Sequence, residues 1–244
     1  MGDDIFVNRI NDVYRLCEKY HSPRFSKFLD EEEISRLKSE GFLGGVLFGG
    51  YEGCERKILG AFPDWMEPSF DEFPIKALHI IKRYEKELSH RNYLGTILSL
   101  GIERNKIGDI LVLDDGAYVF VLDDIADFIK DNIKKISHCG VYIEECNLFD
   151  VKIPEKKHEL LDVIAAALRV DAVLAGLLHI SRNDAKSYLS SGYVKVNHTE
   201  IKEADFEVKE NDLLSIRGFG RTEIFSVGNK TRSDRVHITI KKYL

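Results

Sequence analysis

Between Ser181 and Asn197 the hydrophobic period switches from helical to alternating within one short stretch, and that junction constrains the fold more than any other feature of the chain. Ser181, followed three residues later by Asp184, resembles a capping box with Asp in place of the usual Glu or Gln, so a helix is expected from Arg182. Gly192 ends it, because glycine takes the left-handed conformation past the last turn without steric cost. Arg182 and Lys186 stand four apart and share one face, while Ala185 and Leu189 turn toward a core. After Gly192 the period becomes two: Val194 and Val196 point one way, and Tyr193, Lys195 and Asn197 the other.

Upstream, Phe6, Ile10, Val13, Cys17 and Tyr20 give an amphipathic first helix that stops at His21-Ser22-Pro23. Asp30 with Glu33 caps a second helix that runs to Gly41. The glycine-dense stretch from Phe42 to Gly53 carries neither G-x-x-x-x-G-K-[ST] nor G-x-G-x-x-G. Val46 to Phe48 and Ile58-Leu59 therefore read as a hairpin turned on glycines rather than a phosphate loop. Pro63, Pro68 and Pro74 mark an irregular exit from this unit.

From Pro74 the order of elements is informative. Strands are expected at 75–84, 109–113, 117–122 and 140–145, with a turn at Asp114-Asp115-Gly116. Helices are expected at 94–100 and from Asp123 or Asp124, the latter with Ile125, Phe128, Ile129 and Ile133 inward. The order β-α-β-β-α-β is the ferredoxin-like unit, which RNA-recognition modules share with domains that bind no RNA. In an RNA-recognition motif the third strand would expose aromatics for base stacking. Tyr118 and Phe120 lie on one face there without a basic neighbour, and the competing reading is that both rings are buried. His90-Arg91 reads either as a phosphate contact or as a solvated pair.

Charge separates the two ends of the chain. Residues 155–244 carry 15 Lys and Arg against 13 Asp and Glu, whereas residues 1–154 are net acidic, within a total of −6. The four cysteines are scattered without metal-ligand spacing and are expected to be reduced and packed, so no metal site is expected. No apolar run reaches the length of a membrane span, and the acidic start is unlike a secretory signal, so a cytoplasmic protein is expected.

Arg169-x-Asp171, Ser181-Arg182-x-Asp184-Ala185-Lys186, Gly192-x-Val194-x-Val196-Asn197 and Asp212-x-x-Ser215-Ile216-Arg217 together resemble the S4 RNA-binding domain over about residues 165–220. The whole chain is similar to the YlmH family of bacterial S4 proteins. That likeness is carried by Phe48-Gly49-Gly50-Tyr51-Glu52-Gly53 with Glu55-Arg56-Lys57, His90-Arg91-Asn92-Tyr93-Leu94-Gly95, Ile107-Gly108-Asp109-Ile110 and Arg217-Gly218-Phe219-Gly220-Arg221. His198 and Asn211 stand where S4 domains usually have Gly, and His198 is the less comfortable of the two in a left-handed turn.

The resemblance implies an α+β protein of three parts: an N-terminal domain at 1–73, a ferredoxin-like domain at 74–154 and an S4 domain at 155–244 with a helix pair on a small sheet. It implies a monomeric, non-enzymatic binder of structured RNA, without cofactor. The RNA would be ribosomal RNA of the large subunit, with transfer RNA a second candidate, in the quality control of stalled translation. Contact residues would be Arg169, Arg182, Lys186, Lys195, Asn197, Arg217 and Arg221, in a loop for the last two. Asp171, Ser181, Asp184 and Gly192 would support them, with Ser181 and Asp184 holding Arg182 and Lys186. Two other readings stand beside this one. S4 domains also accompany pseudouridine synthases, methyltransferases and tyrosyl-tRNA synthetases, although no nucleotide-binding glycine signature is present and His79, His90 and His138 lack an evident nucleophile. A cell-division adaptor using the acidic residues 1–154 is the third.

Overall fold

The computed structural model describes residues 2–42, 44–154, 158–230 and 235–243. The chain divides into two compact units, Met1–Pro154 and Glu155–Leu244.

Unit 1 begins with α1 (Gly2–Tyr20), β1 (Arg24–Leu29), α2 (Glu31–Ser39), β2 (Val46–Phe48) and β3 (Lys57–Ala61). The three strands form an antiparallel sheet in the order β1-β3-β2. Phe6, Ile10, Val13 and Cys17 of α1 are buried as their spacing requires, but Tyr20 is 54% exposed beneath the Lys19 and Arg24 cations. α2 carries the full capping box: the Glu33 N–H donates to Asp30 and the Asp30 N–H to the Glu33 carboxylate. The sequence reading missed β1. A bulge between Phe25 and Phe28 breaks its alternation, so the period-two signal is lost.

The chain continues through β4 (Ile75–Lys82), α3 (His90–Leu98), β5 (Ile107–Val112), β6 (Gly116–Leu122), α4 (Asp123–Asn132), β7 (Lys135–Ile136) and β8 (Cys139–Cys146). The sheet order β5-β6-β4-β8-β7, antiparallel throughout, is ferredoxin-like with one added edge strand. α3 starts four residues before its apolar periodicity becomes readable, so His90 and Arg91 form its first turn. In α4, Asp123 and Asp124 occupy the first turn behind Leu122, which holds the cap position. Phe128, expected inward, is 48% exposed.

One hydrophobic cluster runs across residues 73/74, joining Phe28, Phe48 and Ile58 to Ile75, Leu78, Tyr93 and Phe120. Gly50 permits the closest approach. Its φ of +106° is open to glycine, and a Cβ there would stand 2.4 Å from the Phe120 ring. Phe120 is thereby sealed beneath Tyr51, ring centroids 5.0 Å apart.

Unit 2 comprises β9 (His158–Ala165), α5 (Val170–Leu178), α6 (Arg182–Ser190), β10 (Val194–Val196), β11 (Thr199–Glu200), β12 (Leu213–Ile216), β13 (Gly220–Lys230) and β14 (Val236–Tyr243). Its sheet order is β11-β10-β12-β13-β14-β9. α5 and α6 bury Val173, Leu174, Leu177, Ala185 and Leu189 against Val194, Val196, Leu214 and Ile216 of one sheet face. Burying each Val, Leu or Ile among them fully contributes roughly 1.5–3 kcal/mol. The helix pair on a sheet agrees with the expected architecture. β9 escaped the sequence reading because Leu160 and Ile164 are apolar yet exposed, which hides the alternation that puts Val163 and Ala165 inside.

Candidate nucleic-acid interface

α5 begins at Val170, and its first backbone N–H groups are held from outside the helix. Val170 N–H donates to Phe206 O at 2.9 Å and Asp171 N–H to Ala204 O at 3.3 Å. Asp171 lies in this first turn, where the helix dipole favours a carboxylate. Its side chain is only 1% exposed, and a carboxylate so desolvated needs charged partners. It has two. Arg169 approaches with Nε and Nη2, each at 3.2 Å, and Arg182 with Nη2 at 3.3 Å from Oδ2 and 3.4 Å from Oδ1. The trio is net positive, and both arginines keep donors that Asp171 does not use.

α6 starts as its sequence requires. Ser181 Oγ accepts from the Asp184 N–H at 3.1 Å and donates to Asp184 Oδ2 at 2.7 Å. The expected support is corrected in one respect: Arg182 is held by Asp171 of the preceding helix, because Asp184 is occupied by its own cap. Lys186, four residues after Arg182 on the same flank of α6, is exposed and without a side-chain partner among the described residues. At the far end Gly192, φ +69°, reverses the chain, with its N–H on Leu189 O and the Tyr193 N–H on Tyr188 O.

The sheet distributes the remaining candidates. Lys195 pairs with Ser215, and Ser215 with Arg221, so the three form one row across β10, β12 and β13. That row points away from Val194, Val196, Leu214 and Ile216, which face the helices. Arg221 is thus a strand residue, not part of the loop expected from its glycine-rich neighbours. The turn is confined to Arg217–Phe219, closed by Phe219 N–H on Ile216 O. Arg217 packs its guanidinium over Tyr193 at 4.7 Å, and Tyr188 meets Tyr193 edge-on at 5.8 Å. The sequence reading did not select Tyr193, although the alternation already placed it on the side of Lys195.

Asn197 is exposed and engaged by its neighbours in the sheet. Its amide donates to Asp212 Oδ1 at 2.8 Å and accepts from the Leu213 N–H at 2.9 Å. Asn197 and His198 have φ of +47° and +70° between paired Val196 and Thr199, a two-residue hairpin turn of the type that asks for glycine. Asn211 is left-handed as well, at +68°. Both substitutions for the usual glycine therefore sit at positions that demand positive φ.

The structure brings Arg169, Arg182 and Lys186 together at the helix pair, puts Lys195 and Arg221 on the outer sheet face, and stations Arg217 at a strand end. In unit 1, Phe120 is buried and Tyr118 half-buried against His79, centroids 4.5 Å apart, with Asp115 and Glu144 beside that imidazole. Phe120 is therefore closed to base stacking. The cysteines are free, three of them buried. Among the described residues no His, Cys, Asp and Glu group could hold a metal ion, and no helix is long and apolar enough to cross a membrane.

Residues 68–150 match the family described as "Putative RNA-binding domain in YlmH", and residues 168–214 match the S4 domain. The chain is 30% identical over 243 residues to the ribosome-associated protein quality control protein P2 of Bacillus subtilis (strain 168), covering 97% of this chain and 94% of that one. The chain belongs to the YlmH family. A solved YlmH structure, the cell division protein YlmH from Streptococcus pneumoniae, is similar with a TM-score of 0.54 at 25% identity, over 63% of this chain and 96% of that one. A 51-residue stretch is 39% identical to an uncharacterized RNA pseudouridine synthase of Aquifex aeolicus, spanning 21% of each chain. Two RNA-binding modules and a ribosome-associated relative of nearly equal extent support RNA binding in that setting for this YlmH-family chain.

Proposed function

We propose that this protein binds structured RNA of the large ribosomal subunit, acts in ribosome-associated quality control and catalyses no reaction. The observation that carries the reading is the pair Arg169 and Arg182 on one buried carboxylate, with Lys186 beside them. A guanidinium already oriented by Asp171 loses less freedom on meeting a phosphate than a solvated one. Lys195 and Arg221 add cations on the other face of the sheet, and Arg217 on Tyr193 offers a stacking plane for an unpaired base. In this reading residues 1–73, 74–154 and 155–244 are a supporting domain, a first RNA-facing module and the S4 module of a monomeric cytoplasmic protein.

The test is binding to large-subunit ribosomal RNA across a salt series, with transfer RNA as competitor. Roughly five phosphate contacts give a slope of log affinity on log salt of about −4. A flat dependence overturns the proposal, and displacement by transfer RNA at equal concentration moves the specificity to that ligand. Mass spectrometry of RNA incubated with the protein should show no modified base. The pneumococcal relative is named a cell division protein. An adaptor role would appear as recovery of division proteins, without ribosomes, after nuclease treatment.

A further inference from the structure

A second cationic cluster lies in unit 1, where three of the sequence segments typical of the family converge. Arg56 Nε donates to Ile107 O at 3.1 Å and its Nη2 to Phe28 O at 3.2 Å. Arg104 Nη1 donates to the same Ile107 O at 2.5 Å and to Gly108 O at 3.3 Å. Two guanidiniums therefore meet at one carbonyl, and among the described residues neither has a carboxylate within 4.0 Å.

The nearby acids are occupied. Asp109, 9% exposed, accepts from Tyr51 OH at 2.8 Å, from Glu55 N–H at 2.7 Å and from Arg56 N–H at 3.0 Å. Asp30 and Glu33, which act on Arg56 from beyond ion-pair distance, are engaged in the α2 capping box and in the Arg9–Glu33 bridge at 2.6 Å. Burial first, and then the charge of Arg56, push the Arg104 pKa down to about 10. Burial and Arg104 together hold the His90 imidazole, at the start of α3, below its ordinary range. Like charges so arranged oppose one another, which a structural brace between β1 and β5 does not require.

Donor use shows where a ligand fits. Among the described residues Arg104 spends only Nη1, so Nε and Nη2, one edge of the planar fork, have no partner among them and are not buried. That edge matches the two-oxygen geometry of a phosphate, and an anion there would relieve the repulsion between the two arginines. We infer that the free edge of Arg104, with Arg56 meeting it at the Ile107 carbonyl, binds a backbone phosphate of an RNA strand within electrostatic reach of His90, making residues 1–154 a second RNA-contacting unit. The source of the phosphate rests on the RNA-binding reading; the anion site itself does not.

The experiment uses the full chain in two arms. In the first, inorganic phosphate is titrated at constant ionic strength while the His90 ring resonance is followed; it shifts in the wild type and stays fixed in Arg104→Gln. In the second, large-subunit ribosomal RNA is bound by wild type, Arg104→Gln and His90→Ala. Arg104→Gln lowers affinity about fivefold and reduces the salt slope by about one, and His90→Ala, which removes no bond to β1 or β5, lowers affinity in the same direction. Wild-type RNA affinity in both variants, with no response of His90 to phosphate, overturns the proposal and leaves a structural brace. A phosphate response with unchanged RNA affinity overturns the RNA source. If the wild type binds no RNA but His90 responds, the functional reading fails and the anion site stands.

Discussion

Arg182 Nη2 lies 3.3 Å from Oδ2 of Asp171, a carboxylate 1% exposed on the preceding helix. This contact links the starts of α5 and α6 through charge, where the apolar core links their bodies. Asp171→Asn should therefore loosen both helices. Arg169 and Arg182 are 38% and 50% exposed, so solvent offsets part of the loss, and a destabilisation of about 2 kcal/mol is expected. Hydrogen exchange over residues 158–243 measures it. Unchanged protection in α5 and α6 would show that Asp171 is dispensable for their docking.

Lys186 tests contact without a structural side effect, since it is exposed and has no partner among the described residues. Lys186→Glu should leave the thermal midpoint within a degree or so and lower ribosomal RNA affinity about tenfold, because a repelling charge replaces an attracting one. Anisotropy titration against labelled RNA checks both affinity and salt slope. Equal affinity would remove α6 from the interface.

His198 holds φ +70° in a two-residue hairpin, a conformation that costs a non-glycine residue about 1–2 kcal/mol. His198→Gly should stabilise unit 2 by about 0.5–1 kcal/mol after the greater chain entropy of glycine in the unfolded state is subtracted. Denaturant unfolding gives the answer, and a lower midpoint would mean that the imidazole's own contacts outweigh the strain.

Gly50 has the opposite sign. At φ +106°, with a Cβ 2.4 Å from Phe120, Gly50→Ala combines backbone strain with overpacking and should destabilise unit 1 by about 2–4 kcal/mol. Hydrogen exchange over residues 44–154 in a denaturant series reports on this unit. A cost under about 1 kcal/mol would show that the 49–56 connection shifts freely over the sheet.

Local order was legible wherever one residue's chemistry decides a local geometry. Asp30 with Glu33, Ser181 with Asp184, and Gly192 each announce a helix end, and each is found there. The His198 and Asn211 substitutions also flagged their left-handed positions correctly. Strands β1 and β9 were not legible, one because a bulge breaks its period and the other because apolar side chains sit on both faces. Arg221 was placed in a loop because glycines flank it, although strand register decides its position.

The sequence by itself determined the helix caps, the order of elements in the ferredoxin-like unit and the residue types of the S4 stretch, because these depend on neighbours within a few positions. Only the tertiary structure decided which charges meet. Asp171 reaches Arg182 across two helices, Asn197 is taken by Asp212 and Leu213, and Arg56 and Arg104 share the Ile107 carbonyl. These pairings follow from packing that desolvates particular groups and so forces them to find partners, and residue spacing carries no record of it.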